Sequence, residues 1–323
     1  MDLNYSSAYI EAKNNVVYFD HSHLKIATMK GADSLDFLNR ISTNEVLNLK
    51  DNESIQTILT SDKGRIIDVV TLLQKDNKEI LVLSSNDSLD STIRWMKKYI
   101  IMDDVSIKEN TQYKAIELHG PRSITFVREF FSLEDFDSSI QKFTIHQDSG
   151  TVIARIPAIC EISMLLLIPN DNENVLSLIT STLKQLSDFD RELLRIEAGL
   201  GKSPNELNEK YNPLEAGLLH IINFKKGCYI GQEVIARLDS YNKVKQRLFG
   251  IESINEIQID EKIYVNNSEI GILTSILKLT NVITIGLCYV RGEFAHDNTT
   301  LEVRTDDGNV KSAILKKLPF SNE

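Results

Sequence analysis

Cys228 lies in the stretch Phe224-Lys225-Lys226-Gly227-Cys228-Tyr229-Ile230-Gly231-Gln232-Glu233-Val234-Ile235-Ala236-Arg237. Ile230, Val234 and Leu238 recur every four residues with Ile235 beside them, so the second half reads as a helix with one buried face, opened by a turn between Gly227 and Gly231. Cys228 then sits just before a helix N-terminus, with Lys225 and Lys226 immediately upstream. The positive end of the helix dipole and the adjacent cations both favour thiolate, which is the setting of a reactive cysteine, with Lys226 holding it ionised. By residue type alone, a small inert buried cysteine fits the same position. Cys160 and Cys288 fall in apolar, strand-like segments where a thiol is expected to be inaccessible or harder to ionise. No two of the three cysteines have metal-ligand spacing, so no metal site is expected.

Asp68 is the next residue that asks for a reason. In Arg65-Ile66-Ile67-Asp68-Val69-Val70 side chains alternate, which sets Asp68 on the face of Ile66 and Val70 in a strand that is apolar on both sides. A carboxylate there is costly unless a ligand or a partner meets it, and a bond to a backbone turn at the strand edge would also serve. Asn44, in Ser42-Thr43-Asn44, is a candidate pocket residue or a helix C-cap. Arg237 and Arg247 are candidate anion contacts or surface ion pairs. His21 and His23 alternate on a strand-like segment with no carboxylate or cysteine at ligand spacing, and read as structural.

Lys226-Gly227-Cys228-Tyr229-Ile230-Gly231-Gln232-Glu233 resembles the K-G-C-[FY]-x-G-Q-E signature of the YgfZ family, folate-binding relatives of the glycine-cleavage T-protein that serve iron–sulfur proteins. Leu194-Arg195-Ile196-Glu197-Ala198-Gly199 is similar to a helix motif of the T-protein superfamily. Tyr211-Asn212-Pro213-Leu214-Glu215 lies between the two in the same order. The resemblance implies two ferredoxin-like domains and a β-barrel enclosing a tetrahydrofolate site. It implies that Glu197 faces the pterin, whose adjacent N–H and amino groups a carboxylate matches with two charge-assisted hydrogen bonds. By residue type alone, Glu197 is an exposed helix glutamate. Leu59-Thr60-Ser61-Asp62-Lys63-Gly64-Arg65-Ile66-Ile67-Asp68 is similar to the T-protein segment whose aspartate helps activate the folate-bound one-carbon unit. Val69 stands where the transferase commonly has a second aspartate, however, and the Lys-Gly-Cys signature is not a transferase feature. Arg237 or Arg247 would then pair with folate's glutamate tail. The expected activity is that of a folate-binding accessory factor in the maturation or repair of iron–sulfur proteins, tRNA-modifying radical enzymes among the clients. The alternative is a folate-dependent aminomethyl or one-carbon transferase.

The elements that must position these residues follow from the patterning. The chain of 323 residues is 42% hydrophobic and 25% charged, ordinary for a globular protein with room for two or three domains. Its formal charge of −10 argues against a broad nucleic-acid surface. No apolar run approaches the ~20 residues that span a bilayer. No cationic and apolar leader precedes Glu11, so a cytoplasmic protein is expected. Strands at Val16 to Phe19 and Lys25 to Met29 and a helix from Ser34 precede a hairpin at Ile55 to Thr60 and Arg65 to Leu73. A strand at Ile80 to Leu83 and a helix at Ser88 to Tyr99 follow.

The order then recurs. Met29-Lys30-Gly31-Ala32-Asp33-Ser34 matches Leu118-His119-Gly120-Pro121-Arg122-Ser123, and Asp62-Lys63-Gly64 matches Asp148-Ser149-Gly150, which indicates an internal duplication. A helix at Val175 to Leu186 closes the second unit, and another runs from Phe189 to Ala198. After Lys243 six short strands with tight turns, one at Asp306-Asp307-Gly308, suggest a small barrel. The expected fold is α+β: two ferredoxin-like pseudo-repeat halves, 1–110 and 111–242, the second ending in the signature helix, and a C-terminal β-barrel, 243–323. A crevice between the halves is the expected ligand site.

Overall fold

The computed structural model describes residues 5–75, 79–85, 89–241, 243–280, 283–305 and 308–320. Helix α1 (Ser7–Asn14) and strand β1 (Val17–Asp20) come first. The first repeat follows as β2 (Lys25–Lys30), α2 (Ser34–Ile41), β3 (Glu53–Thr60), β4 (Ile66–Gln74), β5 (Glu79–Ser84), α3 (Leu89–Lys97) and β6 (Ser106–Glu109). The second is β7 (Tyr113–His119), α4 (Ser123–Phe130), β8 (Phe143–Ile145), β9 (Val152–Ile156), β10 (Ser163–Pro169) and α5 (Glu173–Thr182). Helix α6 (Asp188–Ala198) and the signature helix α7 (Gln232–Ser240) lead to six strands, β11 (Gln246–Ser253), β12 (Lys262–Val265), β13 (Ser268–Lys278), β14 (Thr284–Arg291), β15 (Thr300–Arg304) and β16 (Val310–Lys316). The expected helix start at Ser88 and turn residues Asp306 and Asp307 lie outside the described residues.

The two sheets have the same plan. One runs β6-β2-β5-β4-β3 and the other β1-β7-β10-β9-β8, so each strand of the first repeat has its counterpart in the second. The edge strands are exchanged: β1 precedes β2 in the chain but pairs with β7, Val17 opposite His119, while β6 precedes β7 and pairs with β2, Lys30 opposite Ser106. Gly31 and Gly120 occupy equivalent places at φ +135° and +126°. A Cβ would meet the Asp104 carbonyl oxygen at 1.9 Å in one and that of Asn15 at 2.1 Å in the other, and Asp104 and Asn15 each lead into an exchanged strand. Only glycine admits that backbone approach. The α+β class of two such halves with a barrel is what the sequence indicates. A division at residue 110 is a proposal that these pairings amend, because residues 7–20 pack with the second sheet.

The sheets meet face to face over Ile26, Leu73, Leu81, Ala115, Phe143, Val152 and Leu165. They also touch at their edges through a bridge between Glu53 and Lys142. Strands β11-β14-β13-β12-β15-β16 close into a barrel, with Gly250 to Glu252 of β11 opposite Lys316 to Ile314 of β16. Two expectations shift. Helix α5 ends at Thr182, because Lys184 and Leu186 exchange backbone bonds with Tyr18 at 3.0 and 2.8 Å and run beside β1 instead. In α7 the fully buried residue is Ile235, whereas Val234 is exposed, so the buried stripe is one residue out of the expected phase.

Candidate functional site

Helix α6 has two faces, and the difference between them defines the site. Its N-cap Ser187 accepts from Asp190 N, and Gly199 ends it in the left-handed region. Leu193, Leu194 and Ile196 are buried, each stabilising the fold by about 1.5–3 kcal/mol. Asp188, Arg191, Glu192 and Arg195, at three- and four-residue spacing, line a cavity of about 740 Å³. The opposite wall comes from His21, His23 and Lys25 around β1 and β2, Ser84 and Ser85 at the end of β5, and Glu117 and His119 of β7. Lys202 and its neighbours before the signature, with Leu277 of the barrel, complete it. Both sheets, α6 and the barrel therefore contribute, and the volume suits a drug-sized ligand.

Two glutamates of this cavity are held by cations. Glu192 accepts from Arg195 Nε at 2.8 Å and Nη2 at 2.8 Å and from Lys202 Nζ at 2.7 Å. Burial alone would raise its pKa, but the bonds and charges of Arg195 and Lys202 bring it down to about 2. Arg195 also donates to Ser275 Oγ at 2.9 Å and to the Leu200 carbonyl, which ties α6 to the barrel and the following loop. Across the cavity the buried Glu117 accepts from Arg191 Nε at 2.8 Å and Nη2 at 3.0 Å, from His21 Nδ1 at 2.8 Å and from His119 Nε2 at 3.1 Å. Desolvation opposes ionisation of Glu117, yet the charge of Arg191 and the bonds from His119 and His21 hold its carboxyl well below the usual range.

The expected site residues fall elsewhere. Glu197 is not on this cavity: it sits on the opposite face of α6, between Leu193 and Leu194 in helical phase. Its carboxylate accepts from Tyr9 Oη at 2.7 and 2.9 Å and from Lys13 Nζ at 2.8 Å. A separate crevice of about 280 Å³ holds it with Cys160, so the motif's glutamate fixes α1 to α6. Asp68 is fully buried behind the cavity wall, accepting from Ser84 Oγ at 2.5 Å, Ser85 Oγ at 2.8 Å, Ser85 N at 3.2 Å and Thr92 Oγ1 at 2.8 Å. Burial raises its pKa against those four bonds, and they satisfy a carboxyl group inside an apolar strand. Asn44 is structural, its side chain donating to Gln56 O at 2.9 Å and accepting from Glu45 N at 2.9 Å. Arg237 and Arg247 are both exposed and line no part of the cavity. Arg247 borders a surface crevice with Lys245 and Arg291 instead.

The signature loop docks on the first repeat. Lys226 is buried, and its ammonium donates to the carbonyls of Asn39 at 2.7 Å, Ser42 at 2.8 Å and Asn44 at 2.5 Å, which neutralises the C-terminal end of α2. All three of its hydrogen atoms are thereby used, so Lys226 makes no hydrogen bond to Cys228. Burial pushes its pKa down to about 8 against the charge of Glu45. Thr60 Oγ1 donates to the Ile230 carbonyl at 2.6 Å and Ile230 N donates to the Arg40 carbonyl at 3.2 Å. Cys228 is exposed on this loop, while Cys160 is half-buried and Cys288 buried. Burial pushes the Cys160 thiol up to about 11 and Cys288 above its ordinary value.

The cavity residues missed from the sequence left two signals. The charged stripe of α6 repeats at helical spacing opposite Leu193 and Leu194. Glu117 and His119 interrupt an apolar strand on one face, the same anomaly that singled out Asp68.

An α+β fold of this plan is shared with a protein of known structure, and the sequence is similar to others. Residues 6–161 match the family model of the GCVT N-terminal domain. An aminomethyltransferase of Caldanaerobacter subterraneus subsp. tengcongensis is 28% identical, over 94% of this chain and 85% of its own length. A putative chloroplastic transferase of Arabidopsis thaliana is 29% identical, over 95% of this chain and 72% of its own length. The crystal structure of the glycine cleavage system aminomethyltransferase T from Bartonella henselae superposes with a TM-score of 0.82 over 97% of this chain and 88% of that one, at 17% identity. The sequence likenesses cover most of the chain, and the superposed structure shows the shared fold. Among the described residues no helix is long and apolar enough to cross a membrane.

Proposed function

We propose that this chain binds tetrahydrofolate in the cavity between its two sheets, α6 and the barrel. We propose further that, with Cys228 on its outer surface, it serves as an accessory factor in the maturation or repair of iron–sulfur proteins, tRNA-modifying radical enzymes among them. The observation that supports folate binding is a cavity of about 740 Å³ with a carboxylate, Glu192, oriented by the Arg195 fork on its wall. Glu117 has four donors and Asp188 is exposed at the helix start, whereas Glu192 has three, so Glu192 is the cavity carboxylate with acceptor capacity left for a pterin N–H. Lys25 supplies a cation for an anionic tail. When bound, tetrahydrofolate would supply ring nitrogens that carry one-carbon units.

The accessory role rests on the YgfZ-like signature and on the exposure of Cys228 beside a loop that Lys226 clamps. The reading places the protein in the cytoplasm, where thiols stay reduced. Its test is complementation: Cys228→Ala is expected to fold and bind tetrahydrofolate yet fail to restore cluster enzymes in cells lacking the protein. Full complementation by Cys228→Ala would remove the thiol from the function.

The second reading, a folate-dependent aminomethyl transferase, is favoured by the names of the relatives above. Burial of Asp68 behind Ser84 and Ser85 weighs against the role that the T-protein likeness implies for it. Turnover of an aminomethylated carrier protein by wild type, lost in Asp68→Asn with folate affinity kept, would establish this reading in place of the first.

A further inference from the structure

We propose that His21 is a specificity-determining residue of the cavity which takes up a proton as the carboxylate tail of the ligand settles beside it; the proposal rests on the folate reading above. Glu117 is an acceptor with four N–H donors around it, so neutral His21 must carry its hydrogen on Nδ1, 2.8 Å from Oε1. His119 is bonded at both ring nitrogens, Nε2 to Glu117 at 3.1 Å and Nδ1 to Ser163 Oγ at 2.8 Å. His21 differs: its Nε2 has no partner among the described residues, and its side chain is 20% exposed at the cavity wall where that of His119 is 1%.

The surroundings decide what that nitrogen meets. On its own segment are Asp20, His23, whose ring stands edge-on at 5.8 Å, and Lys25. From β7 come Glu117 and His119, from α6 Asp188, Arg191, Glu192 and Arg195, and from the following loop Lys202. Glu117 is paired with Arg191, and Arg195 and Lys202 are paired with Glu192 and the buried Glu206. Lys25, Asp20 and Asp188 are in no ion pair among the described residues, so Lys25 is the cation of this wall left without a carboxylate. A carboxylate entering beside Lys25 and His21 therefore meets a residue that gains by becoming imidazolium. Solvent supplies the proton to Nε2, which then donates to the ligand, while the Nδ1–H stays on Glu117.

The test is calorimetry of tetrahydrofolate binding near neutral pH in two buffers of different ionisation enthalpy. The expected result is proton uptake on binding that persists in His23→Gln and disappears in His21→Gln, with affinity lowered about tenfold in the latter as for a lost charged hydrogen bond. A tetrahydropterin without the glutamate tail is expected to bind without uptake. Undiminished uptake in His21→Gln, or equal uptake with the tail-less pterin, would overturn the proposal and leave folate binding intact. Absence of any tetrahydrofolate heat from the wild type would instead overturn the folate reading and the proposal with it.

Discussion

At the scale of single residues, the glutamate of α6 that the sequence singles out and the one on the cavity are different residues. Glu197 is the partner of Tyr9 and Lys13, whereas Glu192 lines the cavity together with Glu117 and Asp188. Replacing Glu197 by Ala is expected to cost about 1–3 kcal/mol of stability in urea titrations, by leaving Tyr9 without its acceptor. Glu192 makes a pH prediction. Its folded pKa of about 2 lies below the ordinary value of 4.5, so its contribution is fully present above pH 4.5 and lost as pH falls toward 2. Urea titration should therefore find wild type more stable than Glu192→Gln by about 2 kcal/mol at pH 7, a half-exposed site being discounted for solvent, with the difference shrinking near pH 3. Lys226 carries a separate expectation: Lys226→Met leaves three carbonyls at the end of α2 without their donor. A loss of roughly 1–3 kcal/mol in urea titration checks that role.

At the scale of elements, the signature is a surface loop fastened to α2 and to the turn between β3 and β4. Cys228 stands exposed on it, while Cys160 and Cys288 are covered. A limiting amount of alkylating reagent at pH 7 is expected to label Cys228 first, as read by peptide mass spectrometry. Equal labelling of all three would contradict this placement. The elements themselves were largely legible because local patterning sets them: alternation gave the hairpins, the glycines before α2 and α4 gave the repeat, and turn residues gave the barrel strands. What local pattern does not carry is which face of a helix meets which neighbour. Glu197 lies in a recognisable motif, but its environment is α1, 184 residues before it at Lys13. His21 reads as structural because its carboxylate partner, Glu117, is 96 residues away.

At the scale of the whole molecule, exchange of β1 and β6 between the sheets explains how the cavity is held. Strand β1 sets His21 beside Glu117 of β7, and α1 clamps the outer face of α6, so the N-terminal segment supports both walls. Removing residues 1–20 would leave the β7 edge unpaired and the apolar face of α6 uncovered. Expression of that truncation is expected to give aggregated protein, whereas a cooperatively folded truncated chain would show the exchanged strand to be dispensable.

The central claim is that the cavity bounded by both sheets, α6 and the barrel is the folate site, and calorimetry with tetrahydrofolate on wild type, Glu192→Gln and Glu197→Ala tests it most directly. The expected result is one site in the wild type, affinity at least about tenfold weaker in Glu192→Gln, and affinity within a few fold of wild type in folded Glu197→Ala. Loss of affinity in Glu197→Ala with Glu192→Gln unaffected, or no binding by the wild type, would contradict it.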